Sequence, residues 1–137
     1  VCGIDNNAGR IAVARHYLMS STPVIFLSVD LQAQQCQIFI QEPRGACWGC
    51  AFPKSFNNRK LPCRVPAAKD PLKVVAGLAL YAVDSLIMPR KRAWNWRNIH
   101  LAGFAPSNQL MIERRPNCVL CGEPATSTGT EAVPCSS

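Results

Sequence analysis

Four cysteines of the chain form two pairs, and each pair has the spacing of a metal-binding turn. Cys47 and Cys50 are separated by two residues, as are Cys118 and Cys121. This separation lets both sulfurs of a pair reach one ion, and four thiolates are a ligand set of structural zinc sites. Disulfide bonds or buried free thiols are the alternatives. We predict one structural zinc ion, which would join segments that are far apart in the sequence.

The other candidates for chemistry lack such a pattern. Neither His16 nor His100 has an evident partner, and each is expected to pack or to lie at the surface rather than to bind a ligand. Four further cysteines have no ligand spacing and are expected to be small buried or exposed thiols: Cys2, Cys36, Cys63 and Cys135.

The elements that would position these residues can be read from the hydrophobic pattern of a chain whose composition suits one domain. Residues 1–4 are expected to end a buried strand, and the polar residues 5–7 are suited to cap a helix. Residues 24–29 are continuously apolar, which is typical of a strand covered on both faces. Residues 35–41 alternate, with Cys36, Ile38 and Ile40 on one side, which indicates a half-covered strand.

A long apolar helix is predicted in the second half of the chain. Asp70 and Pro71 indicate its start, and it is expected to end near Met88. Its charged residues are Lys73 and Asp84, so we expect a helix that is central or that packs in a subunit interface. A membrane span is the competing interpretation, but the two charges and the small residues argue against it.

The C-terminal part is expected to contain a hairpin and a tail. Residues 96–104 and 109–114 have the pattern of two strands joined by a turn at 105–108. The second cysteine pair follows the hairpin directly. Residues 51–70 are predicted to be an irregular crossing segment, and residues 123–137 a disordered tail. The predicted domain is therefore 1–122.

The net charge of the chain indicates a partner less clearly than the cysteine spacing indicates a metal. Lys and Arg exceed Asp and Glu by 7, which usually suggests an anionic partner. The basic run 90–92 with Trp94 and Trp96 would suit nucleic acid, but we favour a solvated loop whose tryptophans pack inward. No signal peptide is recognised, so we expect a cytoplasmic protein without a membrane anchor.

The order of these motifs resembles the ThiF/MoeB family, the bacterial relatives of ubiquitin-activating enzymes. Asp5-Asn6 with Arg10 is similar to the family's Asp-Asn-x-x-x-Arg segment, and residues 46–53 and 115–122 are similar to its two zinc pairs. The likeness covers residues 1–122 but only the C-terminal half of the family's domain. It implies an α/β fold: a partial Rossmann-like mixed sheet with a long buried helix, a C-terminal β-hairpin and a four-cysteine zinc site.

The resemblance also implies a function. The family uses ATP and magnesium to adenylate the C-terminus of a ubiquitin-like or sulfur-carrier protein. By this resemblance, Asp5, Asn6 and Arg10 would lie on the magnesium and ATP side. Cys63 stands where many relatives carry a cysteine that bonds to the carrier protein; an inert loop thiol is the alternative.

Departures from the family pattern limit this implication. The family's glycine-rich phosphate loop belongs to the N-terminal half, which has no counterpart here, and residues 65–69 replace the glycines that usually follow the reactive cysteine. We therefore expect no adenylation by the chain alone, and self-association through the apolar helix. The alternative is a zinc-stabilised protein-binding or homodimerising module without catalysis.

Overall fold

The computed structural model describes residues 1–30, 34–56, 69–88, 91–103 and 105–122, which form a mixed α/β fold. Its elements, in chain order, are α1 (Asn7–His16), β1 (Val24–Val29), β2 (Gln35–Gln41), α2 (Trp48–Ala51), a 3₁₀ turn (Pro53–Phe56), α3 (Lys69–Ile87), β3 (Trp96–His100) and β4 (Asn108–Leu110).

The four strands form one antiparallel sheet in the order β1-β2-β3-β4. A parallel bridge between Cys2 and Phe26 adds the first residues of the chain beside β1. Two hydrogen bonds make this bridge: the Cys2 amide donates to the Ile25 carbonyl at 2.7 Å, and the Leu27 amide donates to the Cys2 carbonyl at 3.0 Å. A mixed sheet, with both parallel and antiparallel pairing, was expected. Among the described residues, the parallel pairing is limited to this bridge.

One face of the sheet packs against α3. Ile25 of β1 and Ile38 and Ile40 of β2 form a cluster there with Ala82 of α3 and Trp94. The alternation expected in residues 35–41 is confirmed, because side chains at even positions of β2 face this helix and those at odd positions face the opposite side. The expectation of a half-covered strand is wrong, because Phe39 and Gln41 on that opposite side are buried as well. Burial of these apolar side chains supplies the main attraction between helix and sheet.

The opposite face of the sheet packs against α1 and α2. Phe26 and Phe39 lie within 6.2 Å of each other, measured between ring centroids, and the Trp48 ring lies 4.9 Å from that of Phe26. Phe52 completes the group at 4.1 Å from Trp48. Strand β1 is thus covered on both faces over its first residues, as its continuous apolar run predicted, and the aromatic cluster fixes the position of α2.

Helix α3 differs from the expectation of a central helix, because only one of its faces is covered in the single chain. It buries Val75, Ala79 and Ala82 against the sheet, whereas Leu80 is 68% exposed and Ile87 is 74% exposed. The composition predicted an apolar helix but carried no information on how many layers lie over it. No helix in the described part of the chain is long and apolar enough to cross a membrane.

The C-terminal hairpin is present but shorter than predicted. Strand β3 ends at His100, before a turn in which Gly103 has a φ of 73°, and β4 contains three residues instead of six. The pairing of β4 with β3 ends after Leu110 because the Asn95 side chain, instead of a strand backbone, makes the next hydrogen bonds. Its amide group donates to the Ile112 carbonyl and accepts from the Ile112 amide, both at 2.7 Å. This change of direction leads the chain towards Cys118.

Candidate metal centre

The sulfur atoms of Cys47, Cys50, Cys118 and Cys121 all lie within 4.8 Å of one another. Cys47 is 3.5 Å from Cys118, and Cys50 is 3.4 Å from Cys121. Two sulfurs bound at about 2.3 Å to a tetrahedral ion lie about 3.8 Å apart, whereas a disulfide requires about 2.05 Å. All four are free thiols. The predicted pairs therefore converge, and their spacing suits a tetrahedral ion better than a disulfide.

The first cysteine pair is positioned by the short helix α2. Cys47 is its N-terminal flanking residue, and its carbonyl accepts a hydrogen bond from the Cys50 amide at 2.9 Å. The buried side chain of Gln41 fixes this helix by accepting from the Trp48 amide at 3.1 Å and donating to the Ala14 carbonyl at 3.0 Å. Strand β2 thereby holds the first pair against α1.

The second cysteine pair lies in a tight turn that ends at Gly122. The Cys118 amide donates to the Arg115 carbonyl at 3.2 Å, and the Gly122 amide donates to the Cys118 carbonyl at 2.7 Å. A Cβ atom at position 122 would lie 2.4 Å from the carbonyl oxygen of Pro116, so no other residue type fits without a shift of the backbone. Glycine here keeps the turn closed around the sulfurs.

Arg115 connects the two segments, a contact that no pattern in the sequence predicts. Its backbone amide donates to the Cys50 sulfur at 3.3 Å, and its guanidinium donates to the Gly49 carbonyl at 2.6 Å. Gly49 allows the two cysteine segments to approach each other closely, since a Cβ atom at this position would lie 3.0 Å from the Cys118 sulfur. Such hydrogen bonds orient thiolate ligands and offset part of their charge.

The electrostatics of the four thiols are unequal. Burial opposes ionisation of Cys118, but the amides of Cys121 and Leu120 and the neighbouring thiols Cys47 and Cys50 outweigh it and lower the pKa of Cys118 to about 7. Burial raises the pKa of Cys47 and that of Cys121. Without a cation, Cys47 and Cys121 thus hold their protons near neutral pH, and a bound divalent ion would displace them.

The predicted nucleotide-side residues lie together at the start of α1. Asn6 caps this helix, its side-chain oxygen accepting from the Gly9 amide at 2.7 Å. The guanidinium of Arg10 donates to the Ile4 carbonyl at 2.6 Å and lies 5.3 Å from the Trp48 ring. Burial lowers the pKa of Arg10, while Cys2 and Asp5 oppose the shift. Arg10 therefore already ties residues 1–4 to the aromatic cluster.

The remaining candidates lie away from the cluster or outside the described residues. Cys63 and the tail at 123–137 belong to the latter group. His16 contacts Tyr17, with ring centroids 4.9 Å apart, and His100 lies 3.2 Å from the Asn98 amide nitrogen. Neither histidine joins the cysteines within the part of the chain that the structure describes.

Arg92, Trp94 and Trp96, considered above for nucleic acid, are used in packing, whereas Lys91 is exposed and residue 90 lies outside the described residues. The Arg92 side chain is 8% exposed and pairs with Glu42, and burial lowers the pKa of Arg92. Trp94 is 5% exposed and stacks on Tyr81. Trp96 packs against the cluster formed by Phe26, Phe39 and Trp48. The indoles that would have to stack on bases are therefore turned inward or partly covered.

Fold and site together define an α/β protein in which a four-cysteine candidate metal centre joins two distant segments. No protein-family model matches the chain, and no curated protein is similar to it in sequence. The fold is similar to that of MccB from E. coli. The structure of MccB with succinimide has a TM-score of 0.67 and 16% sequence identity over 90% of this chain.

Further MccB structures show the same likeness. MccB with ATP has a TM-score of 0.63 and 18% identity, and MccB with AMPCPP and MccA has a TM-score of 0.65 and 17% identity, each over 88% of this chain. In all three comparisons the chain spans 38% of the length of MccB. At this level of identity, the similarity shows the fold.

Proposed function

We propose that residues 1–122 are the C-terminal half of a ThiF/MoeB-like adenylyltransferase domain, with a structural zinc ion bound by Cys47, Cys50, Cys118 and Cys121. The observation that carries the proposal is the convergence of two Cys-x-x-Cys segments on a fold similar to that of MccB. Zinc is proposed over other cations because four converging thiolates, three of them buried, are a structural ligand set of zinc.

The position of Asp5 and Asn6 supports a site for magnesium and phosphate groups. Both follow the residues that make the parallel bridge to β1, and they lie directly before α1, with Asn6 as its N-cap. In Rossmann-like sheets, ligands bind beyond the carboxyl ends of parallel strands, where helix N-termini favour anions. A carboxylate at that place suits magnesium, which prefers hard oxygen ligands. We propose Asp5, Asn6 and Arg10 as the nucleotide-side residues of this half-domain.

Catalysis is proposed to need a second half. The chain contains no glycine-rich phosphate loop, and it spans 38% of the length of MccB, which has been crystallised with ATP. An ATP-binding half, in the same polypeptide or in another, would supply the missing contacts. The proposed partner is a ubiquitin-like or sulfur-carrier protein, as the family resemblance implies, and Cys63 is the candidate to bond covalently to it. We propose a cytoplasmic location.

ATP–pyrophosphate exchange tests this function. The chain should show no exchange alone and should show exchange when an ATP-binding half and a carrier protein are supplied. Asp5→Ala should abolish the restored exchange while leaving the metal content unchanged. Failure of every supplied half to restore exchange would contradict the enzymatic proposal and leave a zinc-stabilised protein-binding module as the function.

The non-catalytic alternative is favoured by one specific observation: the Arg10 side chain is occupied by the Ile4 and Leu27 carbonyls and by Trp48. In that case, binding of a carrier protein would not respond to ATP. Titration calorimetry with the ATP-binding half supplied, with and without ATP, distinguishes the two functions, because only the adenylyltransferase predicts tighter binding of the carrier protein in the presence of the nucleotide.

A further inference from the structure

A cleft of about 450 Å³ opens at the end of the sheet where β2 leaves it. The turn after β2, the residues before β3 and the residues after β4 form its walls. Strand β2 ends at Gln41, which pairs with Val24 at the start of β1, whereas Asp5 follows the residues that make the parallel bridge to β1 and lies towards the end of that strand. The cleft is therefore at the opposite end of the sheet from the proposed nucleotide side.

The turn after β2 has an arginine where glycine is preferred. The Gly45 amide donates to the Glu42 carbonyl at 3.0 Å, which closes a four-residue turn with Pro43 in its second position. Arg44, in the third position, lines the cleft and has a φ of 62°. These are the features of a type II turn, whose third residue is usually glycine or asparagine. An arginine in this conformation is strained, and strained residues cluster at sites that bind ligands.

A second arginine lines the cleft with a buried side chain. The Arg92 side chain is 8% exposed, and its Nη2 atom donates to a Glu42 carboxylate oxygen. The other terminal nitrogen, Nη1, is buried and has no hydrogen-bond partner among the described residues. A buried donor without an acceptor costs free energy, which an oxygen atom of a ligand would offset. Arg92 can therefore bind one oxygen more than Glu42 supplies.

The other lining residues define the chemistry that fits the cleft. Arg114 contributes a third guanidinium, so arginines outnumber the two glutamates of the lining, and one of these, Glu42, is already paired with an arginine. Met111 and Ile112 contribute apolar surface. Guanidinium groups bind carboxylates through two parallel hydrogen bonds, and apolar side chains contact a hydrocarbon chain, which inorganic anions lack.

We propose that this cleft binds an organic acid, a molecule with a carboxylate group and a hydrocarbon portion. Arg44, Arg92 and Arg114 bind the carboxylate oxygens, and the apolar side chains contact the hydrocarbon. This role accounts for two features that are unfavourable in the chain alone, the strained arginine of the turn and the buried Nη1 atom of Arg92. Binding requires neither a nucleotide nor a metal ion, so the site is independent of the proposed adenylyltransferase function.

A titration of the full chain with glutarate, followed by amide NMR spectra, tests the site. Glutarate combines carboxylates with a short hydrocarbon chain. The amide signals of Gly45 and Arg114 should shift and reach saturation. Inorganic phosphate should bind there at least about tenfold more weakly, because it buries no hydrocarbon. Shifts that do not saturate, that occur away from the cleft, or that show phosphate binding as tightly as glutarate would overturn the proposal.

The variant Arg44→Gly separates binding from folding. Glycine is the preferred residue at this position of the turn, so the thermal midpoint should equal or exceed that of the wild type. The dissociation constant for glutarate should rise about tenfold, because charge-assisted hydrogen bonds are lost. Arg15→Ala, which removes an exposed arginine side chain of α1 that does not line the cleft, is the matched control. Equal weakening in both variants, or unchanged binding in Arg44→Gly, would overturn the proposal.

Discussion

The sulfur atoms of Cys47 and Cys118 lie 3.5 Å apart although 71 positions separate these residues in the chain. The first follows β2, and the second follows the hairpin of β3 and β4, so the contact closes the fold across its sheet. The proposed zinc ion, bound by all four sulfurs, would stabilise this closure. A metal ion bound by the four cysteines should therefore contribute to the stability of the domain.

Loss of one sulfur should remove the metal and unfold the C-terminal segment. Cys118→Ser should reduce bound zinc to a small fraction and lower the free energy of unfolding by at least about 3 kcal/mol, because three ligands bind zinc far more weakly than four. Metal analysis and denaturant titration measure the two effects. Cys36→Ser is the matched control: its hydroxyl can still donate to the Pro71 carbonyl, as the Cys36 thiol does at 3.3 Å. Equal losses in both variants would contradict a metal centre.

Removal of the Arg115 guanidinium should weaken metal binding without removing a ligand. Arg115→Ala keeps the backbone amide that donates to the Cys50 sulfur, but it loses the side-chain hydrogen bond to the Gly49 carbonyl. We expect zinc affinity to fall about tenfold, as for other contacts that orient ligands. Competition with a chromophoric chelator measures the affinity. An unchanged affinity would show that the two segments are held together by the sulfurs alone.

Substitution of Gly122 should strain the second turn. In Gly122→Ala, the added methyl group would lie against the Pro116 and Cys118 carbonyls, at 2.4 and 2.6 Å. Relief of these contacts should cost about 1–3 kcal/mol of unfolding free energy. Gly3→Ala is the matched control, since its Cβ atom would meet nothing within 4 Å. A thermal unfolding series that ranks the two variants equally would contradict the geometry of this turn.

Zinc binding should release protons and weaken on acidification. Burial raises the pKa of Cys47 and of Cys121, so each thiol loses nearly one proton to the metal near pH 7. The pKa of Cys118, lowered to about 7, makes this thiol give up a smaller fraction of a proton than Cys47 or Cys121. The metal-bound state holds fewer protons, so zinc binding strengthens as the pH rises towards the raised pKa values of Cys47 and Cys121 and weakens as the pH falls below them. Indicator dye in weak buffer counts the protons, and binding without proton release would contradict thiolate ligation.

Local signals in the sequence were enough to predict part of this structure. The spacing of Cys47 and Cys50 depends on two intervening residues, and the alternation at Ile38 and Ile40 depends on every second residue, so both could be read directly. The contact of Arg115 with Gly49 depends on segments that meet only after folding. The periodicity of a sequence carries no information on such a contact. The register of paired strands and the number of layers that cover a helix depend in the same way on segments that are distant in the sequence.

The same limit explains the two elements that differ from expectation. The composition of α3 predicted an apolar helix, but its exposed face at Leu80 depends on which layers cover it. The pattern of residues 109–114 suited a strand, but the Asn95 side chain takes the hydrogen bonds of Ile112 and ends β4 early. In both cases the tertiary arrangement, which the local pattern does not record, decided the outcome.

Metal analysis of the purified chain, combined with a count of reactive thiols before and after chelation, tests the account most directly. We predict one zinc ion per chain and four thiols, out of eight cysteines, that become reactive only after the ion is removed. A metal-free chain whose four clustered thiols react at once, or whose cysteine pairs are oxidised, would contradict it.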